Sequence, residues 1–496
     1  MSPHCGIPLS KGGFMADDLH SGQSVETISA GFRSIEEYDL VIIGSGEASK
    51  YVAWTLAKQG QRVVVVERKY IGGSCPNIAC LPSKNVIHSA KVASYFRRGE
   101  EFGIGTTGFT IDMESVRNRK REMVAELVDI HVENFRKSGA ELIVGYGKFT
   151  GPRTVEVTLP DGTTRTLRGT NVIIGTGTTA AVQPIPGLAE AQPLTHIEAL
   201  ELGEIPQHLL VMGGGYVGLE LAQAMRRFGS RVTVIDRNER LVHREDPDIA
   251  EGLSKLFQEE GIELVLSAHV ERVSGTSGKA VTVIVRQGAS QRTLEGTHLL
   301  IATGRTPNTQ GLGLESAGVD TTDRGYIKVN ERLETTAAGV WAVGDVAGSP
   351  QFTHVAFDDF RVIRDNLAGG NHVTTGRLVP FCMFTDPEVA RIGLSETEAG
   401  ARAIPYRLFK IPMAAVLRTR TLSETRGFIK ALVDINSDRI LGLTVFGIDG
   451  GEIMASVQVA MIAGLPYTAL RDAILTHPTL LEGLVVLFSS SPSVPT

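Results

Sequence analysis

An α/β fold with two copies of one strand–turn–helix–strand unit, followed by a different C-terminal domain, is predicted by three observations. First, Asp39-Leu40-Val41-Ile42-Ile43 leads into Gly44-Ser45-Gly46-Glu47-Ala48-Ser49, a helical pattern, and then Gln61-Arg62-Val63-Val64-Val65-Val66-Glu67. Second, Leu209-Leu210-Val211-Met212 leads in the same way through Gly213-Gly214-Gly215-Tyr216-Val217-Gly218 and a helix to Arg231-Val232-Thr233-Val234-Ile235-Asp236. In both copies 23 residues separate the first glycine from the acid at the strand end (67 − 44 and 236 − 213). Third, from about Arg377 the pattern changes to short strands at 380–385, 388–393 and 440–447, mixed with helical runs.

Each part of the repeated unit has a physical reason. A short apolar, β-branched run suits a strand buried on both faces of a parallel sheet. The glycines allow a tight turn and let backbone approach a pyrophosphate, which the following helix N-terminus stabilises. The acid at the next strand end accepts hydrogen bonds from a ribose diol. One such glycine run is a weak signal. Two, each between a strand and a helix with an acid at the same spacing, predict two Rossmann-like domains and two bound dinucleotides.

The remaining segments fit around these units. Residues 141–168 alternate around Thr150-Gly151-Pro152 and Pro160-Asp161-Gly162, which predicts a small antiparallel meander. Asn171-Val172-Ile173-Ile174, His298-Leu299-Leu300-Ile301 and Val340-Trp341-Ala342-Val343 predict three further buried strands. The expected organisation is a disordered tail over 1–37, a first dinucleotide domain from 38–182 and 303–376, a second from 183–302, and a C-terminal α+β domain over 377–496.

Composition narrows the class. Glycine is the outlier, at 55 of 496 residues, about 11% against a usual ~7%. With 42% hydrophobic and 21% charged residues, a disordered or fibrous chain is excluded. Four cysteines, Cys5, Cys75, Cys80 and Cys382, exclude a disulfide scaffold. A net charge of −6 argues against nucleic acid or an anionic membrane as a general partner. The longest apolar stretch, 209–225, holds three consecutive glycines and Glu220, so no membrane span is expected. No basic-then-apolar leader opens the chain, and a cytoplasmic location is expected.

Half the cysteines lie within Gly72-Gly73-Ser74-Cys75-Pro76-Asn77-Ile78-Ala79-Cys80-Leu81-Pro82-Ser83-Lys84. Residues five apart point about 140° apart on a regular helix, so a bonded pair needs a break between them. The glycines and Pro76 predict an irregular loop at Cys75 and a helix starting near Cys80, where the dipole favours a thiolate. Lys84, four residues on, adds positive charge on the same helix face. Zinc needs four ligands at closer spacing, which Cys5 and Cys382 do not supply. Two unrelated buried thiols are the other alternative. A redox-active pair is favoured, with Cys5 and Cys382 expected to be inert.

With these motifs in hand, the chain from Tyr38 to about Phe488 resembles the FAD-dependent pyridine nucleotide–disulfide oxidoreductases, among them glutathione reductase, dihydrolipoyl dehydrogenase and the mercuric reductase core. The resemblance rests on both glycine units, the CxxxxC with its Pro-Ser-Lys, Ala302-Thr303-Gly304-Arg305, Gly344-Asp345 and His477-Pro478-Thr479. Phe384-Thr385-Asp386-Pro387-Glu388-Val389-Ala390 and Ile392-Gly393-Leu394-Ser395-Glu396 look most like mercuric reductase.

The resemblance implies roles residue by residue. FAD would occupy the first unit, with Gly44, Gly46 and Ser49 facing its pyrophosphate and Glu67 its ribose. Ser74, Lys84, Gly147, Thr176 and Gly177 would line it, and Asp345 would meet the ribityl chain. A nicotinamide cofactor would occupy the second unit through Gly213, Gly215 and Gly218, with Val270 and Gly304 nearby. Tyr216 matches a tyrosine that covers the flavin until nicotinamide displaces it, and Glu220 matches the partner of Lys84. Asp236 favours NADH over NADPH, although Arg237 and Arg240 follow it and suit a 2′-phosphate. His477, oriented by Glu482, matches a catalytic base contributed by the other subunit of a homodimer formed through the C-terminal domain.

The expected reaction passes electrons between NAD(P)H, FAD and Cys75–Cys80, with Cys80 on the flavin side and Cys75 as the interchange thiol for a small disulfide or dithiol such as a lipoyl group. Either direction fits. Mercuric reductases carry a further C-terminal cysteine pair and usually a tyrosine at the position of His477, whereas Phe488-Ser489-Ser490-Ser491-Pro492 and the four residues after it hold no cysteine, against mercury as substrate. Metal-ion or quinone reduction and a dithiol redox sensor are the alternatives.

Overall fold

The first parallel unit begins earlier than its apolar pattern indicates. In a computed structural model that describes residues 35–105 and 107–494, strand β1 spans Ile35–Ile43. Ile35–Tyr38 pair with Thr166–Gly169, and Glu36 is salt-bridged to Arg165 at 2.6 Å. These residues sit on a partly exposed end of the sheet, so polar side chains hide the strand from a hydrophobicity pattern. The boundary expected at Tyr38 therefore moves to Ile35. The rest of the expected tail, 1–34, lies outside the described residues, as does Cys5.

From β1 the chain forms α1 (Glu47–Lys58), β2 (Val63–Glu67), α2 (Ser74–Asn77), α3 (Cys80–Arg97) and α4 (Met113–Ser138). Then follow β3 (Glu141–Val144), β4 (Tyr146–Gly151), β5 (Thr154–Thr158) and β6 (Thr164–Ile174). The sheet order is β3-β2-β1-β6-β5-β4, with Val340–Ala342 parallel to the C-terminal half of β6. The meander expected over 141–168 is thus smaller than its alternation suggested. Only β4, β5 and β6 are antiparallel, while Glu141–Val144 crosses over on α4 to extend the parallel sheet beside β2.

The second unit repeats the first. His208–Met212, the helix Tyr216–Phe228 and Arg231–Ile235 lie in a four-stranded parallel sheet flanked by Glu263–Val265 and His298–Ile301. Three antiparallel strands, His269–Thr276, Ala280–Gln287 and Ser290–Gly296, stand beside it. The central residues of both parallel sheets, such as Val41, Ile42, Val64, Val211 and Val234, are fully buried. Each contributes roughly 1.5–3 kcal/mol of apolar burial. A five-stranded antiparallel sheet, Phe381–Met383, Glu388–Gly393, Ile440–Gly447, Phe428–Asp434 and Tyr406–Pro412, forms the C-terminal part, with helix Gly450–Ile462 on it. No described helix is long and apolar enough to cross a membrane.

Candidate redox site

Two glycine loops are built alike. Gly44 has φ +95° and Gly213 φ +114°, and a Cβ at either would collide with a strand-end carbonyl, Gly175 or Ala302. Gly46 and Gly215 occupy the N-cap positions of α1 and of Tyr216–Phe228, and neither helix has a side-chain cap. Their first-turn N–H groups are therefore free to meet an anion, which fits the pyrophosphate of a dinucleotide. Glu67 closes the first loop by accepting from Ser45 N (2.9 Å), Ser45 Oγ (2.8 Å), Lys69 N and Tyr70 N. Asp236 closes the second by accepting from Gly214 N and Asn238 N (2.7 Å).

Ser49 and Gly218 do not face these loop mouths. Ser49 is buried against Gly175, and a Cβ on Gly218 would strike the Gly213 carbonyl. Both set how closely the helix approaches its strand, which is the packing part of the glycine pattern and not the pyrophosphate part.

The cysteine pair stands at a helix break. Cys75 lies in the single turn α2, not in the irregular loop expected, and Ile78–Ala79 interrupt the helix before Cys80 opens α3. Both are free thiols, and Cys80 Sγ lies 3.3 Å from Thr353 Oγ1. A hydrogen bond from Cys75 lowers the Cys80 thiol to about 6 against the opposing effect of burial, with help from Thr353 and Lys84. The same bond, then burial, pushes Cys75 up. The two thiols are thus pushed in opposite directions, Cys80 towards the thiolate and Cys75 towards the thiol.

Lys84, one turn into α3, donates to Glu220 Oε2 at 2.7 Å and lies over the Phe384 ring. Glu220 Oε1 accepts from Phe384 N at 2.8 Å, so the pair joins α3, the second-unit helix and the C-terminal sheet. Tyr216 Oη donates to Glu245 Oε1 at 2.9 Å. Asp345 accepts from Thr178 Oγ1 at 2.6 Å, and Arg305 donates to the same hydroxyl. Thr176 Oγ1 donates to Asn308 O (2.8 Å), beside Gly177 in the left-handed region. Gly147 packs on Val155 and Val66, Ser74 opens α2 at the surface, and Arg237 and Gly304 are exposed. Val270 sits at a bulge in its strand. Cys382 is a half-buried thiol, pushed up chiefly by desolvation.

His477 Nδ1 meets both oxygens of Glu482, at 3.0 and 2.9 Å, with the imidazole largely exposed. Among the described residues no hydrogen bond joins it to Cys75 or Cys80 of the same chain.

Comparison with known proteins places this geometry. The family model "Pyridine nucleotide-disulphide oxidoreductase" matches residues 38–359, and its dimerisation domain matches 379–487. The chain belongs to the pyridine nucleotide–disulphide oxidoreductase family. Among similar relatives, RclA of Escherichia coli, named "Probable pyridine nucleotide-disulfide oxidoreductase", is 37% identical over 92% of this chain and 99% of its own. Its solved Cu(II) complex, described as an HOCl-induced flavoprotein disulfide reductase, superposes with a TM-score of 0.83 at 36% identity, covering 92% and 99%. A mercuric reductase of Staphylococcus aureus is 31% identical over 96% of this chain and 86% of its own. The mitochondrial dihydrolipoyl dehydrogenase of Dictyostelium discoideum is 33% identical over 93% and 96%.

As a member of this family the protein is a flavin-dependent oxidoreductase that acts on sulfur groups, and FAD and a pyridine nucleotide are its expected cofactors. Sequence reasoning about the family missed Thr353, which meets Cys80, and Glu245, which accepts from Tyr216. Thr353 lies 273 residues from Cys80, and no local pattern joins them.

Proposed function

We propose that this enzyme transfers electrons between NADH and a small disulfide or dithiol through Cys75 and Cys80. The observation that carries the reading is the placement of Cys75 in α2 and Cys80 at the first position of α3, with Thr353 Oγ1 3.3 Å from the Cys80 sulfur and Lys84 one turn on. The first glycine unit would hold FAD, with Glu67 at its ribose, Asp345 near its ribityl chain, and Ser74, Lys84, Gly147, Thr176 and Gly177 around it. The second would hold the nicotinamide nucleotide, with Val270 and Gly304 on the nicotinamide side. Once bound, the flavin and nicotinamide supply the two-electron exchange between nucleotide and thiol pair.

The chain's own residues carry the thiol half. Cys75 gives its proton to the partner subunit's His477 and attacks the substrate disulfide, and the first thiolate leaves with that proton. The Cys80 thiolate then attacks Cys75 of the mixed disulfide, closing Cys75–Cys80 and releasing the second thiolate, which takes a proton from solvent through the imidazole. One disulfide is reduced to two thiols as one dithiol is oxidised. Glu482 fixes the imidazole tautomer, with Nδ1–H donating to its carboxylate. The partner is a second copy of the chain. Supporting this, Val459 and Ile462 on helix Gly450–Ile462 are 67% and 70% exposed, and Ile474, just before His477, is fully exposed. NADH is preferred because Asp236 stands at the ribose position. We assign the domains as 35–182 with 303–376, 183–302 and 377–494, and a cytoplasmic location.

The deciding experiment is Cys75→Ser on the FAD-loaded enzyme. NADH oxidation by an artificial acceptor persists, while disulfide turnover falls by at least about a hundredfold. Retained disulfide turnover refutes the assignment. A second reading, metal-ion reduction at the same sulfurs, is favoured by the relative solved with Cu(II) and by the mercuric reductase relative. Parallel assays with lipoamide, glutathione disulfide, Cu²⁺, Hg²⁺ and a quinone separate the two.

A further inference from the structure

Glu245 belongs to neither glycine loop, yet its carboxylate lies at the junction of three parts of the molecule. It is 5% exposed, and its Oε2 is 3.2 Å from Nε of Arg391, itself 6% exposed on the C-terminal strand Glu388–Gly393. That charge contact is not aligned as a hydrogen bond on either side. Arg391 already has a directed partner, Glu398 Oε2 at 2.6 Å, and its guanidinium lies 4.4 Å from the Phe381 ring centre. The directed side-chain hydrogen bond of Glu245 is the one it accepts from the Tyr216 phenol. A buried carboxylate is costly unless its bonds are used, so holding Tyr216 is the bond this placement secures.

The segment carrying Glu245 is tied down on either side. Val242 N donates to Gly214 O at 2.9 Å, tying it to the second glycine loop. Asp246 accepts from Thr397 N, Thr397 Oγ1 and Glu396 N, and meets Lys430 at 2.9 Å. The phenol it holds lies at one end of an aromatic row. The Tyr216 ring is 6.4 Å from Phe381, and Phe381 stacks on Phe352 at 6.0 Å with an interplanar angle of 8°. The next residue, Thr353, touches Cys80. The row therefore runs from the second glycine loop to the thiol pair.

We propose that Glu245 is a positioning residue that latches the Tyr216 phenol across the route between the second nucleotide loop and Cys80, so that a nicotinamide nucleotide binds at the expense of the Tyr216–Glu245 bond. The inference rests on the proposed nicotinamide site. Losing the bond beforehand removes that cost, worth about tenfold in affinity for one hydrogen bond to a charged group. Titration calorimetry of the oxidised, FAD-loaded enzyme with NAD⁺ and with NADP⁺ tests it, since neither reduces the flavin.

Glu245→Ala and Tyr216→Phe are each expected to tighten the preferred nucleotide about tenfold, and the double variant no further than either. Glu245→Gln keeps an oxygen to accept the phenol and is expected to stay near the parent. Affinities unchanged or weaker in Glu245→Ala, effects that multiply in the double variant, or Glu245→Gln binding as tightly as Glu245→Ala overturn the latch. Should Glu245→Ala not fold, Tyr216→Phe carries the comparison. If the parent binds neither nucleotide, the nicotinamide reading falls and the latch with it. If the parent binds and the variants do not differ, the latch alone falls.

Discussion

Their surroundings make Cys75 and Cys80 chemically unequal. Cys80 gains from a hydrogen bond, from Thr353 and from the positive charge of Lys84, while the same bond and burial keep Cys75 protonated. In the reduced, FAD-loaded enzyme, iodoacetamide should alkylate Cys80 with a pH midpoint near 6. Removing the donor with Cys75→Ala should move that midpoint up towards the ordinary thiol value of about 8.5. A midpoint already in the ordinary range in the parent would contradict the lowered Cys80 thiol. The pair and the helix start were legible from CxxxxC and its flanking residues. The position of Cys75 in its own helical turn was not, because a four-residue helix leaves no periodicity to read.

At the scale of elements, the glycine loops were legible because their chemistry is local: a positive φ, a close carbonyl and an acid at fixed spacing. Ser49 and Gly218 show the limit, since position in a motif does not say which side of the helix packs on the strand. The segment from 245 to 248 was not legible at all. Asp246 and Asp248, with Glu396, surround the Lys430 ammonium at 2.7–2.9 Å, and Lys430 is fully buried. Lys430→Met leaves these carboxylates facing one another, and a loss of about 3–5 kcal/mol is expected. In the parent, hydrogen bonding to Lys430 and Thr397 overcomes burial to hold Asp246 below the usual carboxylate range, so its stabilisation is present at neutral pH and lost on acidification. In Lys430→Met that advantage is gone. Thermal melts of the holoenzyme should therefore show the variant furthest below the parent at pH ~8, with the gap narrowing towards pH ~5 as the carboxylates protonate. A gap independent of pH would rule out the cage as its cause.

At the scale of the whole molecule, the proposed mechanism draws Cys75 from one chain and His477 from the other. Neither Cys75→Ser nor His477→Ala should turn over a disulfide alone. Co-refolded in equal amounts, the two variants should recover about a quarter of parental turnover, since half the random dimers hold one intact site of two. No recovery, alongside a dimer by analytical ultracentrifugation, would place His477 outside the site.

What the amino-acid sequence determined by itself is what short-range physics encodes. Apolar runs made the parallel strands, glycine spacing made the two tight strand-to-helix turns, and the clustered cysteines fall together at the break between α2 and α3. The tertiary structure alone decided which distant groups meet: Thr353 with Cys80, Glu245 with Tyr216 and Arg391, and Lys430 with its three carboxylates. These contacts join residues that are often more than a hundred positions apart, and side-chain burial and charge pairing leave no periodic trace in the chain. Backbone hydrogen bonding and turn geometry are local and repeat in the sequence. Electrostatic pairing in a packed interior is not local, and it appears only once the sheets have brought the partners together.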